Sequence, residues 1–333
     1  MKKILFNNIG KSINYIKHVE HLFSDYDLIR GKHYSKLCLK ELQPLFAQSD
    51  LLLTHSATGG LEIIAHLLDI QNGDEIILPS YTFVSTVNAF ISKGATPVFV
   101  DIEQESLNLD LNLVEQAITS KTKAIIAVHY AGHSCDLNRL KQICETHSLI
   151  LIEDAAMAYG NTFEGNQLGG IGDFGVISFD VTKHISAIQG GLLIVNNDKY
   201  KKRANNIYHI GTNRSDFADG TVPYYEWVDV GSKYQMNELN AAFLFEQLLS
   251  RNEIIQTRKE ISKLYFSGLS EMSRKGHFSM INEELIPDNI HEFYLIAKSE
   301  DERQELSKHL MANGIEAMFH YFPLHLAEKG SKI

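Results

Sequence analysis

The chain of 333 residues carries a net charge of −10, with 44% hydrophobic and 22% charged residues. This is the composition of an ordinary soluble globular protein with enough length for a large core and two domains. The acidic balance argues against nucleic acid or an anionic membrane as the main partner, because both call for a basic face. Cys38, Cys135 and Cys144 have no paired spacing, so neither a disulfide frame nor a zinc knuckle is expected, and a reducing cytoplasm is the simplest setting. No apolar stretch is long enough to span a bilayer, and no secretory signal precedes the first strand-like run.

In chain order, Leu51-Leu52-Leu53 predicts a strand and Gly60 to Leu68 a helix. Glu75 to Leu78 is a strand stopped by Pro79, Val84 to Ser92 a helix, and Pro97 to Val100 a strand. Leu111 to Ile118 (helix), Ala124 to Val128 (strand), Leu137 to Thr146 (helix) and Leu149 to Ile152 (strand, ending at Glu153-Asp154) follow. Phe174 to Phe179 and Leu192 to Val195 are further apolar runs, and a long helical pattern covers about Asn237 to Ser267. Strands alternating with helices predict an α/β fold with a mainly parallel sheet covered on both faces. Functional residues of such sheets gather beyond the carboxyl ends of strands, where Asp154, Ser80 to Phe83 and His129 fall. The division expected is a large domain over 1–245 and a smaller α/β domain over 246–333, with the N-terminal segment free to pack on the small one. The small domain would hold strands at Phe293 to Ala297 and Ala317 to His320, with a helix from Arg303 to Asn313 between them.

Thr54-His55-Ser56-Ala57-Thr58-Gly59-Gly60 follows a strand and opens a helix. Backbone N–H groups from Ala57 onward, beside hydroxyls and small residues, make an anion site in which Thr58 is the best side-chain donor. The plain alternative is a Ser/Thr helix cap, and the two weigh equally on this segment alone. Phe83, just past a strand end, could stack on a flat ring, or could simply be a core aromatic. Ser178 could add a second hydroxyl to the anion, or merely end its strand. Lys183, in Ser178-Phe179-Asp180-Val181-Thr182-Lys183-His184, would by itself read as a solvated charge. With Asp154-Ala155-Ala156 closing an earlier strand, it is what a pyridoxal 5'-phosphate (PLP) enzyme needs. The amine forms a Schiff base with the cofactor aldehyde, and the carboxylate pairs with the protonated pyridine nitrogen. Asp173-Phe174-Gly175 spells a kinase tripeptide without the companion motifs. His129 and His133 are interrupted by Gly132 and so give no helical metal pair, and no metal is expected.

Six segments taken together resemble the sugar-nucleotide aminotransferases of the DegT/DnrJ/EryC1/StrS family. They are Leu-Pro-Ser-Tyr-Thr-Phe-Val-Ser-Thr-Val-Asn-Ala-Phe (78–90), Val-Phe-Val-Asp-Ile (98–102), Val-His-Tyr-Ala-Gly (128–132), Glu-Asp-Ala-Ala (153–156), Gly-Thr-Asn-Arg-Ser (211–215) and Phe-His-Tyr-Phe-Pro-Leu-His (319–325). The resemblance implies the fold type I architecture of PLP-dependent transferases and a homodimer with active sites at the subunit interface. It implies that Lys183 holds the cofactor and shuttles a proton, Asp154 pairs with the ring nitrogen, Phe83 stacks on the ring, and Ala57, Thr58 and Ser178 bind phosphate. His320, His325, Asn213 and Arg214 fall at the substrate edge. The implied reaction moves an amino group from L-glutamate to the keto carbon of a nucleotide-linked 4-keto-6-deoxy sugar, for surface-polysaccharide synthesis.

Some residues depart from the pattern. Met157 occupies a cofactor-contacting position where the family has Gln or His, and it cannot donate a comparable hydrogen bond. Asp180, Val181 and His184 stand where near relatives have His, Glu and Asn, and Asp180 adds a carboxylate beside the lysine. The chain ends at Lys332-Ile333, before the further strand and closing helix of the family, so the small domain is expected to be incomplete, with an exposed apolar edge. Two competing readings follow: a PLP-dependent sugar-nucleotide 3-dehydratase, disfavoured because those enzymes carry His in place of Lys183, and a diverged, non-catalytic binding protein.

Overall fold

The computed structural model describes residues 3–9, 14–281 and 286–332. Seven strands form its central sheet: β1 (Asp50–Thr54), β2 (Glu75–Pro79), β3 (Thr96–Val100), β4 (Thr122–Val128), β5 (Ile150–Asp154), β6 (Phe174–Ser178) and β7 (Gly191–Val195). Their order across the sheet is β1-β7-β6-β5-β4-β2-β3. Neighbours from β3 through β6 run parallel, while β7 is antiparallel to both β6 and β1. Every residue of β6 and β7 is buried. Alternate residues feed two cores: Leu53, Ile125, Leu151, Ile177 and Ile194 on one face, Leu52, Ile126, Ile152, Val176 and Leu193 on the other. Burial on both faces is why these strands read as unbroken apolar runs.

The topology places the carboxyl ends of β1, β2, β4, β5 and β6, and the start of β7, along one edge. Thr54 and Ser178 both face Gly191 in register, and Asp154 lies between Val128 and Val176. That edge carries the site.

Some expectations give way. The single helical pattern over 237–267 is two helices, Glu238–Leu249 and Arg251–Arg274, broken at Ser250. The first is buried through Ala241, Ala242, Leu244 and Leu248, whereas only Ser262 of the second is buried. One straight rod could not serve both environments, and Arg251 fixes the corner by donating to Leu248 O and Glu41 Oε2. The strand expected at 293–297 shrinks to Leu295–Ile296, paired with Ser279–Met280. Residues 317–320 form no strand. Their neighbourhood is held instead by the Tyr81 hydroxyl on His320 O (2.6 Å) and by Leu324 N on Ser80 O (2.9 Å), which bind this segment across the mouth of the site. The last helix starts earlier than predicted, at Glu300, because Ser299 caps it by accepting from Glu302 N.

The N-terminal segment divides its contacts. Ile4 bridges Ile315. The helices Tyr15–Ser24, Tyr26–Arg30 and His33–Leu42 lead onto the buried helix Glu238–Leu249, whose Glu238 carboxylate accepts from Tyr34 N (2.7 Å) and Ser35 N (3.3 Å). Among the described residues no helix is long and apolar enough to cross a membrane, and all three cysteines are buried and free.

Candidate active site

The helix Ala57–Leu67 begins where β1 ends. Ser56 caps it, its hydroxyl accepting from Gly59 N at 3.0 Å, and Thr58 donates its own hydroxyl to Ser85 Oγ at 2.9 Å. Gly191 lies directly against this turn: a Cβ there would collide with Ala57 N and with Ser56 C and O. The turn therefore sits closer to β7 than any residue but glycine allows. Ser178 pairs with Gly191 across β6 and β7 and accepts from Asp180 N at 3.3 Å. Backbone amides at a helix start, two hydroxyls and a glycine that leaves room form an anion cradle at the sheet edge. Gly191→Ala is expected to weaken PLP binding about tenfold, the loss of one hydrogen bond to a charged group. A cofactor titration alongside a melting curve checks it, and wild-type affinity in a folded variant would remove the cradle from the site.

Asp154, buried at the end of β5, has both carboxylate oxygens oriented. Oδ2 accepts from Thr86 Oγ1 (2.7 Å) and Oδ1 from Ala156 N (3.1 Å), and Thr86 is itself in contact with Thr82 Oγ1 (3.0 Å). Lys183 is half-buried in the loop between β6 and β7. Burial pulls its ammonium below the usual lysine range, opposed by Glu292, Asp154 and Asp180 in that order. An amine that gives up its proton more readily than an ordinary lysine, at the sheet edge that also carries an oriented carboxylate, fits the needs of PLP. Phe83, the residue before helix Val84–Ile91, is 56% exposed, so it is a free face and not a core aromatic.

Met157 is buried among tyrosines: it clusters with Tyr130 and Ala131, packed by Tyr81, Tyr294 and Tyr321. Tyr81 joins this group to the C-terminal segment, and its hydroxyl lies 3.2 Å from that of Tyr130. His320 stacks on Tyr321 (4.4 Å, 11°) and its Nδ1 lies 2.7 Å from Glu292 Oε2. His325 is tied by Nδ1 to Ser80 Oγ at 2.7 Å. Asn213 is occupied elsewhere: its amide donates to Tyr224 O and accepts from Glu226 N, clamping its own loop, and Arg214 is exposed beside it. Among the described residues no hydrogen bond or ion pair joins Asn213 or Arg214 to Lys183 or Asp154. His129 is not a group presented beyond a strand end; it is wholly buried, with Nε2 on Glu153 (3.0 Å) and Nδ1 accepting from Cys135 N (3.2 Å).

Two contributors carry no plain signal in the sequence. Thr86, the third residue of helix Val84–Ile91, orients Asp154 from 68 residues away. Glu292 lies in a stretch without periodicity, and only the fold brings its carboxylate to 2.7 Å from His320 Nδ1.

Residues 14–329 match the sequence profile of the DegT/DnrJ/EryC1/StrS aminotransferase family. The chain is 33% identical over 279 residues to an uncharacterised protein of Methanocaldococcus jannaschii, covering 82% of this chain and 72% of that one. It is 29% identical over 320 residues to GDP-perosamine synthase of Escherichia coli O157:H7, covering 95% and 83%. Helicobacter pylori PseC, an aminotransferase involved in the biosynthesis of pseudoaminic acid, has the same fold (TM-score 0.90, 24% identity, 100% of this chain and 88% of that one). A protein assigned as a sugar aminotransferase of Streptococcus pneumoniae, solved in its PLP form, superposes with a TM-score of 0.85 at 25% identity, covering 99% and 88%.

Proposed function

The chain belongs to the DegT/DnrJ/EryC1/StrS aminotransferase family and is a PLP-dependent enzyme of fold type I, and from that premise we propose that it moves an amino group from L-glutamate to the keto carbon of a nucleotide-linked 4-keto-6-deoxy sugar. The observation that carries the reading is Lys183, a lysine with a lowered affinity for its proton, at the sheet edge that also holds the oriented Asp154 carboxylate and the cradle at Ala57–Thr58. Bound PLP supplies an aldehyde carbon that can carry an amino group and a pyridine ring that draws electrons from it.

The protein's own residues divide the remaining work. The turn at Ala57 and Thr58, with Ser178, binds the phosphate. Asp154, held by Thr86 and Ala156 N, keeps a proton on the ring nitrogen, and Phe83 covers the ring. Lys183 anchors the cofactor, then takes and returns the proton at the substrate carbon. Met157 gives the ring edge an apolar contact in place of a hydrogen bond. His320 and His325 line the sugar side on the segment that crosses the mouth, while Asn213 and Arg214, on a loop clamped to itself through Tyr224 and Glu226, would meet substrate only from the second subunit of a homodimer. The corner at Ser250 supports a division into a large cofactor domain and a small one, with the boundary at Ser250 and not at the expected 245, which falls inside the buried helix Glu238–Leu249.

GDP-perosamine synthase supports a nucleotide-linked acceptor and an amino-sugar product. The likeness of residues 78–90 and 319–325 to dTDP-4-amino-4,6-dideoxygalactose transaminases supports the 4-keto position and a cytoplasmic role in surface-polysaccharide synthesis. Purified protein with PLP should show visible absorbance that bleaches with L-glutamate. The colour should return on addition of a dTDP- or GDP-linked 4-keto-6-deoxyhexose, with the aminated sugar found by mass spectrometry. Bleaching by a different amine alone would remove L-glutamate as donor, and no recovery with either sugar would remove the acceptor class.

A further inference from the structure

Residues 3–7 run along the segment that follows helix Glu300–Ala312. Ile4 N donates to Gly314 O and Glu316 N to Ile4 O, each at 2.9 Å, which makes a parallel bridge between Ile4 and Ile315. Glu316 then fixes the course of the segment: its Oε1 accepts from Lys3 Nζ, and its Oε2 from Phe6 N at 3.1 Å. The other end is tied to the lysine turn. Asn7 Nδ2 donates at 2.9 Å to the carbonyl oxygen of Val181, two residues before Lys183. Between these ties the Phe6 ring stands edge-on to His320, with centroids 6.0 Å apart and planes at 66°. His320 is itself held, by the Tyr321 ring stacked at 4.4 Å, by Glu292 Oε2 at 2.7 Å from its Nδ1, and by the Tyr81 hydroxyl on its carbonyl. Phe6 stays 42% exposed, so an aromatic surface is left open where the lysine turn and the mouth segment are joined.

We propose that residues 3–7 form a strap along the rim of the site and that Phe6, held in place by that strap, is a specificity-determining residue that packs against the sugar acceptor beside His320. The inference rests on the proposed reaction, in which His320 lines the sugar side. Size singles out the acceptor as the substrate concerned. A nucleotide-linked hexose extends from its reacting carbon out past the rim, whereas L-glutamate reaches the lysine without spanning it. An aromatic ring whose backbone amide and whose neighbour's side chain are both bonded has little freedom left to lose on meeting a ligand, so a contact there comes at small entropic cost. The lysine turn does not need the strap for its own shape. Lys183 N on Asp180 O (3.0 Å) and Thr182 N on Asp180 Oδ1 (3.2 Å) close it from within. Asn7 and Glu316 therefore serve Phe6, and loosening either tie acts on the acceptor and not on the donor.

The test is steady-state kinetics of the full-length, PLP-loaded protein with dTDP- and GDP-linked 4-keto-6-deoxyhexoses, beside the rate at which L-glutamate alone bleaches the cofactor. In Phe6→Ala the KM for the acceptor that the wild type uses should rise about tenfold, the loss of one aromatic contact, while the bleaching rate stays near that of wild type. Phe6→Tyr keeps the ring and should restore the KM. Asn7→Ala should raise the same KM by less, again without slowing the bleaching. An unchanged acceptor KM in a folded Phe6→Ala protein, or bleaching that slows in step with acceptor turnover, would overturn the proposal. Should Phe6→Ala fail to fold, Asn7→Ala decides: a raised acceptor KM with normal bleaching supports the strap, and an unchanged KM refutes it. A wild-type protein that bleaches with L-glutamate but uses neither sugar would overturn the proposed acceptor and this inference with it. That failure shows in the wild type, whereas failure of the strap alone shows only in the variants.

Discussion

Lys183→Ala is expected to fold normally and to lose L-glutamate-dependent bleaching of the PLP complex by at least about a thousandfold, since it removes both the covalent anchor and the base. The loop keeps its shape without the side chain. Lys183 N bonds Asp180 O (3.0 Å), Phe179 N bonds Gly190 O (2.9 Å) and Ala187 N bonds Phe179 O (2.8 Å), all through the backbone. The lysine side chain makes an unfavourable contribution to burial, so its removal should leave the melting temperature unchanged or slightly raised. A melting curve and a stopped-flow absorbance trace separate the two effects. A rate within a few-fold of wild type in a folded variant would take Lys183 out of the mechanism. Ammonia or a keto-deoxy product released from a nucleotide sugar by the wild-type protein would instead point to dehydration.

What the sequence discloses of this site follows from how local each part is. Lys183, Ser178 and the turn at Ala57–Thr58 are legible because each is a short motif at a strand end, and a strand buried on both faces announces itself as an apolar run. Asp154 is legible for the same reason. The orientation of that carboxylate by Thr86 and the packing of His184 against His291 are not, because they depend on packing between segments 68 and more than 100 residues apart. The corner at Ser250 was hidden because both flanking stretches keep helical periodicity while burying different amounts of surface. Residues 317–320 show a strand's alternation but have no strand beside them; a tyrosine hydroxyl takes the carbonyl that a ladder would have used. Asn213 illustrates the opposite failure, a motif residue whose polar atoms the fold spends on its own loop.

Glu153→Ala should be the most destabilising single change, at about 3–5 kcal/mol, the cost of leaving several buried partners of a charged group unpaired. The side chain is completely buried, and four donors converge on it. Ile171 N and Gly172 N reach Oε1 (both 2.7 Å), while Gly169 N (2.8 Å) and His129 Nε2 (3.0 Å) reach Oε2. Because Cys135 N donates to His129 Nδ1, the ring carries its one proton on Nε2, and the imidazole is a neutral donor. Glu153→Gln cannot rescue the site, since its NH2 group would face backbone N–H groups that need an acceptor. Burial alone would raise the Glu153 pKa, but the His129 and backbone hydrogen bonds outweigh it and hold the carboxyl below its ordinary 4.5. A depressed carboxyl pKa gives stability that is fully present above 4.5 and is lost as pH falls through the lower folded value. The stability gap between wild type and Glu153→Gln, measured by urea titration, should therefore be constant above about pH 5 and narrow below pH 4.5. A gap that stays constant into acid would show that these donors do not hold the ionised form. The consequence reaches function through the neighbouring residue: Asp154 O accepts from His129 N (3.1 Å), so losing the Glu153 anchor frees both the 169–172 turn and the strand end that presents Asp154. Cofactor affinity should fall in Glu153→Ala even at temperatures where the protein remains folded.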